Sequence, residues 1–312
     1  MELFVSILSL IAGIWIVVDG ADALTEGASS IASRLGISQL VIGLTIVACG
    51  TSMPEFCVSL VSALKGTPDL AVGNVIGSNI FNTLLIAGVA AAIVPISILP
   101  QTVKRDFPIA ALASILVLIF CIDHNFTRVE ALILTICFIA FMWLTLRTSK
   151  ASPEQENEDS AIQLSNPQAI WKILYGLLFL VGGSQLFVDS ATSLAQSFGV
   201  SEAIIGLTIV AGGTSMPELA TSIVAARKGN SGIAIGNVLG SNIFNILFIL
   251  GIAGLICPMH PQGITTVDFS VALGSCLLLW LFSWTNLTIK RWEGLCAIII
   301  YLIYLAFLIS QL

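Results

Sequence analysis

Charge is scarce in this chain. It has 12 Lys and Arg and 18 Asp and Glu in 312 residues. A soluble domain carries about 25% charged residues, so a fully water-exposed surface is excluded. The few basic residues are scattered, and no nucleic-acid partner is expected. Histidine is nearly absent: His124 and His260 have no ligand-spaced partners, which argues against a histidine metal site. The seven cysteines (Cys49, Cys57, Cys121, Cys137, Cys257, Cys276, Cys296) form no C-x-x-C pair. They read as small apolar residues with free thiols. Residues 1–18 are apolar but lack a basic start and a small-x-small cleavage site, so they read as a first transmembrane helix rather than a signal peptide. The Tyr-Asp and Gly-x-Gly-Asp settings of an intramembrane acid protease are also missing.

What the chain has is apolar sequence: 57% hydrophobic residues and a mean hydropathy of +1.02. This is the composition of a polytopic membrane protein. Ten apolar spans are expected, at residues 3–35, 40–64, 70–99, 107–121, 129–146, 171–198, 203–226, 233–256, 269–282 and 292–308. Most approach the roughly 20 residues that cross a bilayer. Between the fifth and sixth lies a polar stretch with the acidic cluster Glu154, Glu156, Glu158 and Asp159, which holds much of the net charge of −6 and reads as a solvated linker.

One stretch occurs twice. Shifted by 163 positions, residues 43–82 align with residues 206–245 without a gap, and 27 of the 40 positions are identical. The identities fall in two blocks. The first is Gly43 to Ala48 followed by Gly50-Thr51-Ser52-Met53-Pro54-Glu55, with its twin ending Gly213-Thr214-Ser215-Met216-Pro217-Glu218. The second is Gly73-Asn74-Val75 followed by Gly77-Ser78-Asn79-Ile80-Phe81-Asn82, with its twin at Gly236 to Asn245. Two halves of five spans each must insert in opposite senses. That predicts an all-α polytopic membrane protein of ten transmembrane helices in two inverted-topology repeats, residues 1–148 and 168–312, joined by a linker at 149–167.

The basic residues fix an expected orientation. Arg34, Lys104, Arg105, Arg147, Lys150, Lys172, Arg227, Lys228, Lys290 and Arg291 share one side, and only Lys65 and Arg128 lie on the other. The basic side should be cytoplasmic, with the linker inside and both termini outside.

The repeated blocks carry the chemistry. Pro54 cannot hydrogen-bond to the carbonyl of Gly50, so the helix should unwind near residues 50–52 and free backbone oxygens. Thr51, Glu55 and Ser59 share one helix face, as do Ser78 and Asn82. Carboxylate, hydroxyl, amide and carbonyl oxygens are hard donors suited to Ca²⁺ or Na⁺. A carboxylate in the middle of a membrane is costly and marks function, and Glu55 and Glu218 together would neutralise one divalent ion. The amides Asn74, Asn79, Asn237 and Asn242 read mainly as ties between helices, and the glycines as close-packing positions. Asp19, Asp22, Glu26 and Asp189 read as a solvated or snorkelling face.

The paired G-T-S-x-P-E and G-S-N-I-F-N blocks resemble the α-repeats of the calcium/cation antiporter superfamily, in particular its sodium/calcium exchanger branch and the bacterial inner-membrane members. The resemblance implies cation binding by Thr51, Ser52, Ser78 and Asn82 and by Thr214, Ser215, Ser241 and Asn245, around Glu55 and Glu218. It adds the backbone carbonyls of Ala48 and Ala211. It implies a secondary antiporter in the inner membrane that exchanges Ca²⁺ for Na⁺ by alternating access, with no enzymatic activity, cofactor or obligatory protein partner. Asn245 stands where the potassium-dependent branch carries Asp, which argues against co-bound K⁺. The Glu that follows Gly-Asn in proton/calcium exchangers is absent after Asn74 and Asn237, which favours Na⁺ over H⁺. A cation channel is a further alternative, and it would show flux without a counter-ion.

Overall fold

The computed structural model describes residues 2–147, 164–198 and 211–310. The chain is almost entirely helical. Helix α1 (Glu2–Leu35) ends where Gly36 takes a positive φ of 61°, the usual glycine stop. Helix α2 (Gln39–Thr51) starts at Ser38, whose side chain accepts the Val41 N–H. Helix α3 (Met53–Leu64) continues from it after a 49° bend. Next come α4 (Pro68–Ile93), α5 (Phe107–Cys121), α6 (Arg128–Arg147) and α7 (Asn166–Ser197). The short α8 (Ala211–Thr214) and α9 (Met216–Arg227) are followed by α10 (Ser231–Ile256), α11 (Thr266–Trp284) and α12 (Arg291–Ser310). Helices α7 and α11 begin with capping boxes, Ser165 with Gln168 and Thr265 with Asp268.

Seven of these helices are long and apolar enough to cross a membrane, and eight if the bent pair α2 and α3 counts as one span. The expected span at 107–121 is a helix of 15 residues, extended at its start by a π-helical turn at Thr102–Asp106. The expected span at 203–226 begins outside the described residues. The third span departs from expectation: it was expected to reach residue 99, but its helix stops at Ile93. Pro95 drives Val94 into extended backbone (φ −137°, ψ 125°). The chain then forms strand β1 (Ile96–Ser97), which pairs antiparallel with β2 (Thr288–Ile289). No strand was expected.

Internal symmetry organises the contacts. Ile96 pairs with Ile289, and Phe126 bridges Met259. A shift of 163 carries Ile96 to Met259 and Phe126 to Ile289. The two bridges are therefore one contact made twice, with the halves exchanging partners.

The core lies along α4 and α10. In α10, 78% of the most apolar stretch is buried, against 17% in α12. Helices α6 and α12 instead turn Ile136, Ile139, Leu302 and Ile303 outward, as helices facing lipid do. Helices α2 and α10 meet with Gly43 against Gly236, where a Cβ on Gly236 would stand 2.7 Å from the Leu40 carbonyl.

Helices α1 and α7 run antiparallel in close contact. A Cβ on Gly20 would lie 2.9 Å from both the Gly176 carbonyl and the Leu180 amide. Small residues permit such approach in membranes. At one end of this seam the acids of α1 are tied rather than simply solvated. Asp19 accepts the Tyr175 hydroxyl at 2.5 Å, Glu26 pairs with Lys172, and Lys228 reaches Asp22 at 2.8 Å and Glu26 at 3.3 Å. Among the described residues, the Asp189 carboxylate accepts from Gln185 of its own helix.

A branched side chain at Gly20 must force α1 from α7. Gly20→Val is expected to lower the melting temperature in detergent by several degrees and to broaden the size-exclusion peak. Gly182→Ala, on the same helix pair but facing open space, should match the native protein. Equal melting of the two variants would show that the seam does not hold the fold.

Candidate cation site

The site forms where the two kinked segments cross the two amide-bearing helices. Ser52 lies between α2 and α3 with φ −83° and ψ 10°, and Ser215 lies between α8 and α9 with φ −91° and ψ 9°. Each proline thus kinks its helix at a single serine. The break expected near residues 50–52 falls at Ser52, and two of the neighbouring carbonyls are capped rather than bare. The Ala48 carbonyl accepts both the Ser52 N–H at 3.0 Å and the Thr51 hydroxyl at 3.3 Å. The Gly213 carbonyl, deprived of its helical donor by Pro217, accepts the hydroxyl of Ser184 from α7 instead. Ala211 opens α8 at the edge of the described residues, and the rest of the first block of its repeat lies outside them.

Each kink places a glutamate in the first turn of the following helix, and both glutamates are fully buried. The Ser52 hydroxyl donates to Glu218 Oε1 at 2.8 Å, and the Ser215 hydroxyl donates to Glu55 Oε1 at 2.8 Å. Serine and glutamate are thus exchanged between the repeats. Ser215 also approaches Ser78 Oγ at 3.3 Å. Thr51 and Ser241 stand beside the Glu218 carboxylate, and Thr214 stands beside that of Glu55.

Behind this layer, amides brace the helices. Asn74 Nδ2 donates to the Glu55 carbonyl at 3.2 Å and to Ser59 at 2.9 Å. Asn237 Nδ2 repeats the pattern on the Glu218 carbonyl at 3.1 Å and Ser222 at 3.0 Å, and Asn237 Oδ1 accepts the Thr51 hydroxyl at 3.0 Å. Asn74 and Asn237 are therefore ties, as the sequence indicates. Asn82 and Asn245 lie just inside the π-helical turns Phe81–Ile86 and Phe244–Leu250. Such turns admit an extra residue and recur at functional sites. Neither turn is visible in the sequence, because FNTLLI and FNILFIL are apolar on nearly every side and show no phase that an extra residue could shift.

The unsatisfied atoms define what the site can do. Among the described residues, Glu55 Oε2, Glu218 Oε2, Asn82 Oδ1, Asn245 Oδ1 and Ser241 Oγ are buried without a hydrogen-bond partner. Neither glutamate belongs to an ion pair there; the ion pairs join Arg105 to Asp106, Lys172 to Glu26, and Lys228 to Asp22 and Glu26. Buried polar groups are normally paired, and a buried carboxylate without a counter-charge costs several kcal/mol or more. Two open carboxylate oxygens and two open amide oxygens, drawn from both repeats, are donors suited to a hard cation. Of the expected residues, Ser52 meets Glu218 and Ser215 meets Glu55 and Ser78, and Asn82 and Asn245 follow Ser78 and Ser241 by one helical turn. The Ala48 carbonyl already holds two donors.

The family follows from comparison. The model of the family described as sodium/calcium exchanger protein matches residues 5–147 and 168–310. The chain is 38% identical over 286 residues to the inner membrane protein YrbG of Escherichia coli, covering 88% of this chain and 87% of that protein. It is 32% identical to the sodium/calcium exchanger MaX1 of Methanosarcina acetivorans, covering 98% of each. Its fold superposes on the sodium–calcium exchanger NCX_Mj, soaked with 2.5 mM Na⁺ and 0.1 mM Ca²⁺, with a TM-score of 0.85 and 31% identity over 97% of this chain and 98% of that one. The protein is a multi-pass membrane protein and belongs to the sodium/calcium exchanger family.

The polar packing makes a stability prediction. Thr51→Val leaves the Asn237 oxygen unpaired, at a cost of about 1–3 kcal/mol. Thermal unfolding in detergent should therefore shift down for Thr51→Val and recover in Thr51→Ser, which keeps the donor. A valine variant as stable as the native protein would mean that this bond does not brace the site.

Proposed function

We propose that the protein is a secondary active antiporter that exchanges Ca²⁺ for Na⁺ across the cell's inner membrane, with ten transmembrane helices in two inverted five-helix repeats, residues 1–148 and 168–312. The observation that carries this reading is the set of open buried oxygens drawn from both repeats, headed by Glu55 Oε2 and Glu218 Oε2. The doubled bridge, the doubled kink and the exchanged Ser–Glu pairs support the inverted repeat. Positive charge on one side supports a cytoplasmic linker at 149–167 and outward termini. The named exchangers among its relatives support transport rather than enzymatic chemistry.

In this reading the ligands are Glu55, Glu218, Thr51, Ser52, Ser78, Asn82, Thr214, Ser215, Ser241 and Asn245, with the carbonyl of Ala211 and that of Ala48, which joins once the Thr51 hydroxyl turns from it to the ion. Ca²⁺ takes six to eight oxygens and balances both carboxylates; Na⁺ ions use the same oxygens separately. A site with two uncompensated charges resists the change of face, because carboxylates in a closed, dry site cost too much. Only a loaded site moves, and this couples the two fluxes. Na⁺ is preferred to H⁺ as counter-ion because no acid follows Gly73-Asn74 or Gly236-Asn237. Two carboxylates rather than three leave no charge for co-bound K⁺.

The test is ⁴⁵Ca uptake into proteoliposomes. A Na⁺ gradient directed outward should drive accumulation, and a pH gradient alone should not. Uptake driven by pH alone would overturn Na⁺ coupling, and uptake indifferent to any counter-ion would indicate a channel. Glu55→Gln and Glu218→Gln keep the shape and the Oε1 acceptor but remove the charge. Each should reduce exchange at least a hundredfold at normal expression, and native rates in either variant would remove that glutamate from the mechanism.

A further inference from the structure

A side-chain amide serves a cation only if its oxygen, not its NH₂, faces the ion. Asn82 and Asn245 are both buried, and something must choose the face. Asn82 Nδ2 donates to Asn242 Oδ1 at 3.2 Å, and Asn245 Nδ2 donates to Asn79 Oδ1 at 3.1 Å. Each bond leaves the corresponding Oδ1 open.

The partners are themselves fixed. Asn79 Nδ2 donates to the backbone carbonyl of Asn242 at 3.1 Å. Asn242 Nδ2 donates to Thr83 Oγ1 at 2.7 Å and points at the Asn79 carbonyl at 3.5 Å. Thr83 spends its own hydrogen on the Asn79 carbonyl at 2.8 Å, so it can only accept from Asn242. The polarity of the network thus starts from backbone carbonyls, which cannot turn over. Rotating Asn82 or Asn245 by half a turn would set oxygen against oxygen. All four side-chain polar atoms of Asn79 and Asn242 are engaged, which leaves neither amide open to hold the ion itself.

We propose that Asn79 and Asn242 are positioning residues that lock the amide groups of Asn245 and Asn82 with their oxygens toward the transported cation. This rests on the antiporter reading above and adds two residues to its machinery. Loss of either lock lets the amide present its NH₂ to the ion. Removing partners that orient a ligand typically costs 10–100-fold in metal affinity.

The test is equilibrium binding of ⁴⁵Ca to the purified full-length protein, in Na⁺-free buffer, over two mutant cycles. Asn242→Leu should weaken Ca²⁺ binding at least tenfold. Asn82→Asp supplies oxygen on both branches, so its effect should depend on the background: a gain at least tenfold larger in Asn242→Leu than in the otherwise native chain. If Asn242 served only as cement between helices, Asn82→Asp would change affinity by the same factor in both backgrounds. The second cycle, Asn79→Leu with Asn245→Asp, makes the same prediction on the other half and covers a variant that does not fold. Native affinity in Asn242→Leu or Asn79→Leu, or equal gains in both backgrounds, would overturn the positioning role while leaving the site intact. A native protein that binds no Ca²⁺ would overturn the antiporter reading and this inference with it.

Discussion

The structure depends on a reciprocal exchange: Ser52 of the first repeat binds Glu218 of the second, and Ser215 binds Glu55, each at 2.8 Å. Each bond occupies one carboxylate oxygen and leaves the other open. Removing a carboxylate from water is costly, and one hydroxyl is not enough to compensate. On the antiporter reading the remainder comes from the transported cation. The pair therefore stores a demand for positive charge at the centre of the protein, and the surrounding packing keeps water from meeting it. The glycine contacts between α2 and α10 bring the repeats close enough for the exchange to form. Asn74 and Asn237 hold each kinked helix by the backbone carbonyl of its own glutamate.

The twofold arrangement is not perfect, and the departures have physical content. Thr83 corresponds to Ile246 and Thr221 to Val58, so each hydroxyl occurs on one half only. Thr83 anchors Asn242, whereas the Asn79 lock has no such hydroxyl behind it. Lys172 and Lys228 bind the acids of α1 at one end of the α1–α7 seam, while at the corresponding position of α7 the Asp189 carboxylate, among the described residues, accepts from Gln185 of its own helix. An inverted repeat with equal halves would place both facing states at equal energy. On the antiporter reading, unequal contacts of this kind would set a preference between them.

Much of this was legible in the sequence. The repeat located the chemistry, because Gly50-Thr51-Ser52-Met53-Pro54-Glu55 and its twin put a helix breaker beside an acid in apolar surroundings. Proline chemistry located the kinks to within two residues. It could not show that the freed Gly213 carbonyl would be capped by Ser184, 29 positions away. The exchanged Ser–Glu bonds join residues 160 and 166 positions apart, and no local pattern encodes such pairing. The π-helical turns that contain Asn82 and Asn245 were invisible for a similar reason: the surrounding helices, not the propensity of the turn residues, accommodate the extra residue. Asp19, Asp22 and Glu26 read as a solvated face because their partners, Tyr175, Lys172 and Lys228, come from distant helices. The short strands near residues 96 and 288 have no alternating pattern to announce them and exist only because the halves meet there.

In the proposed antiporter one divalent ion is held between the open oxygens of the two glutamates. Anomalous diffraction from crystals of the full chain grown in Ca²⁺ without Na⁺ tests it most directly. The account predicts a single strong peak within about 2.3–2.6 Å of both Glu55 Oε2 and Glu218 Oε2, with Asn82 Oδ1 and Asn245 Oδ1 turned toward it. A fully occupied Ca²⁺ peak that touches neither glutamate, or only one of them, would contradict the account.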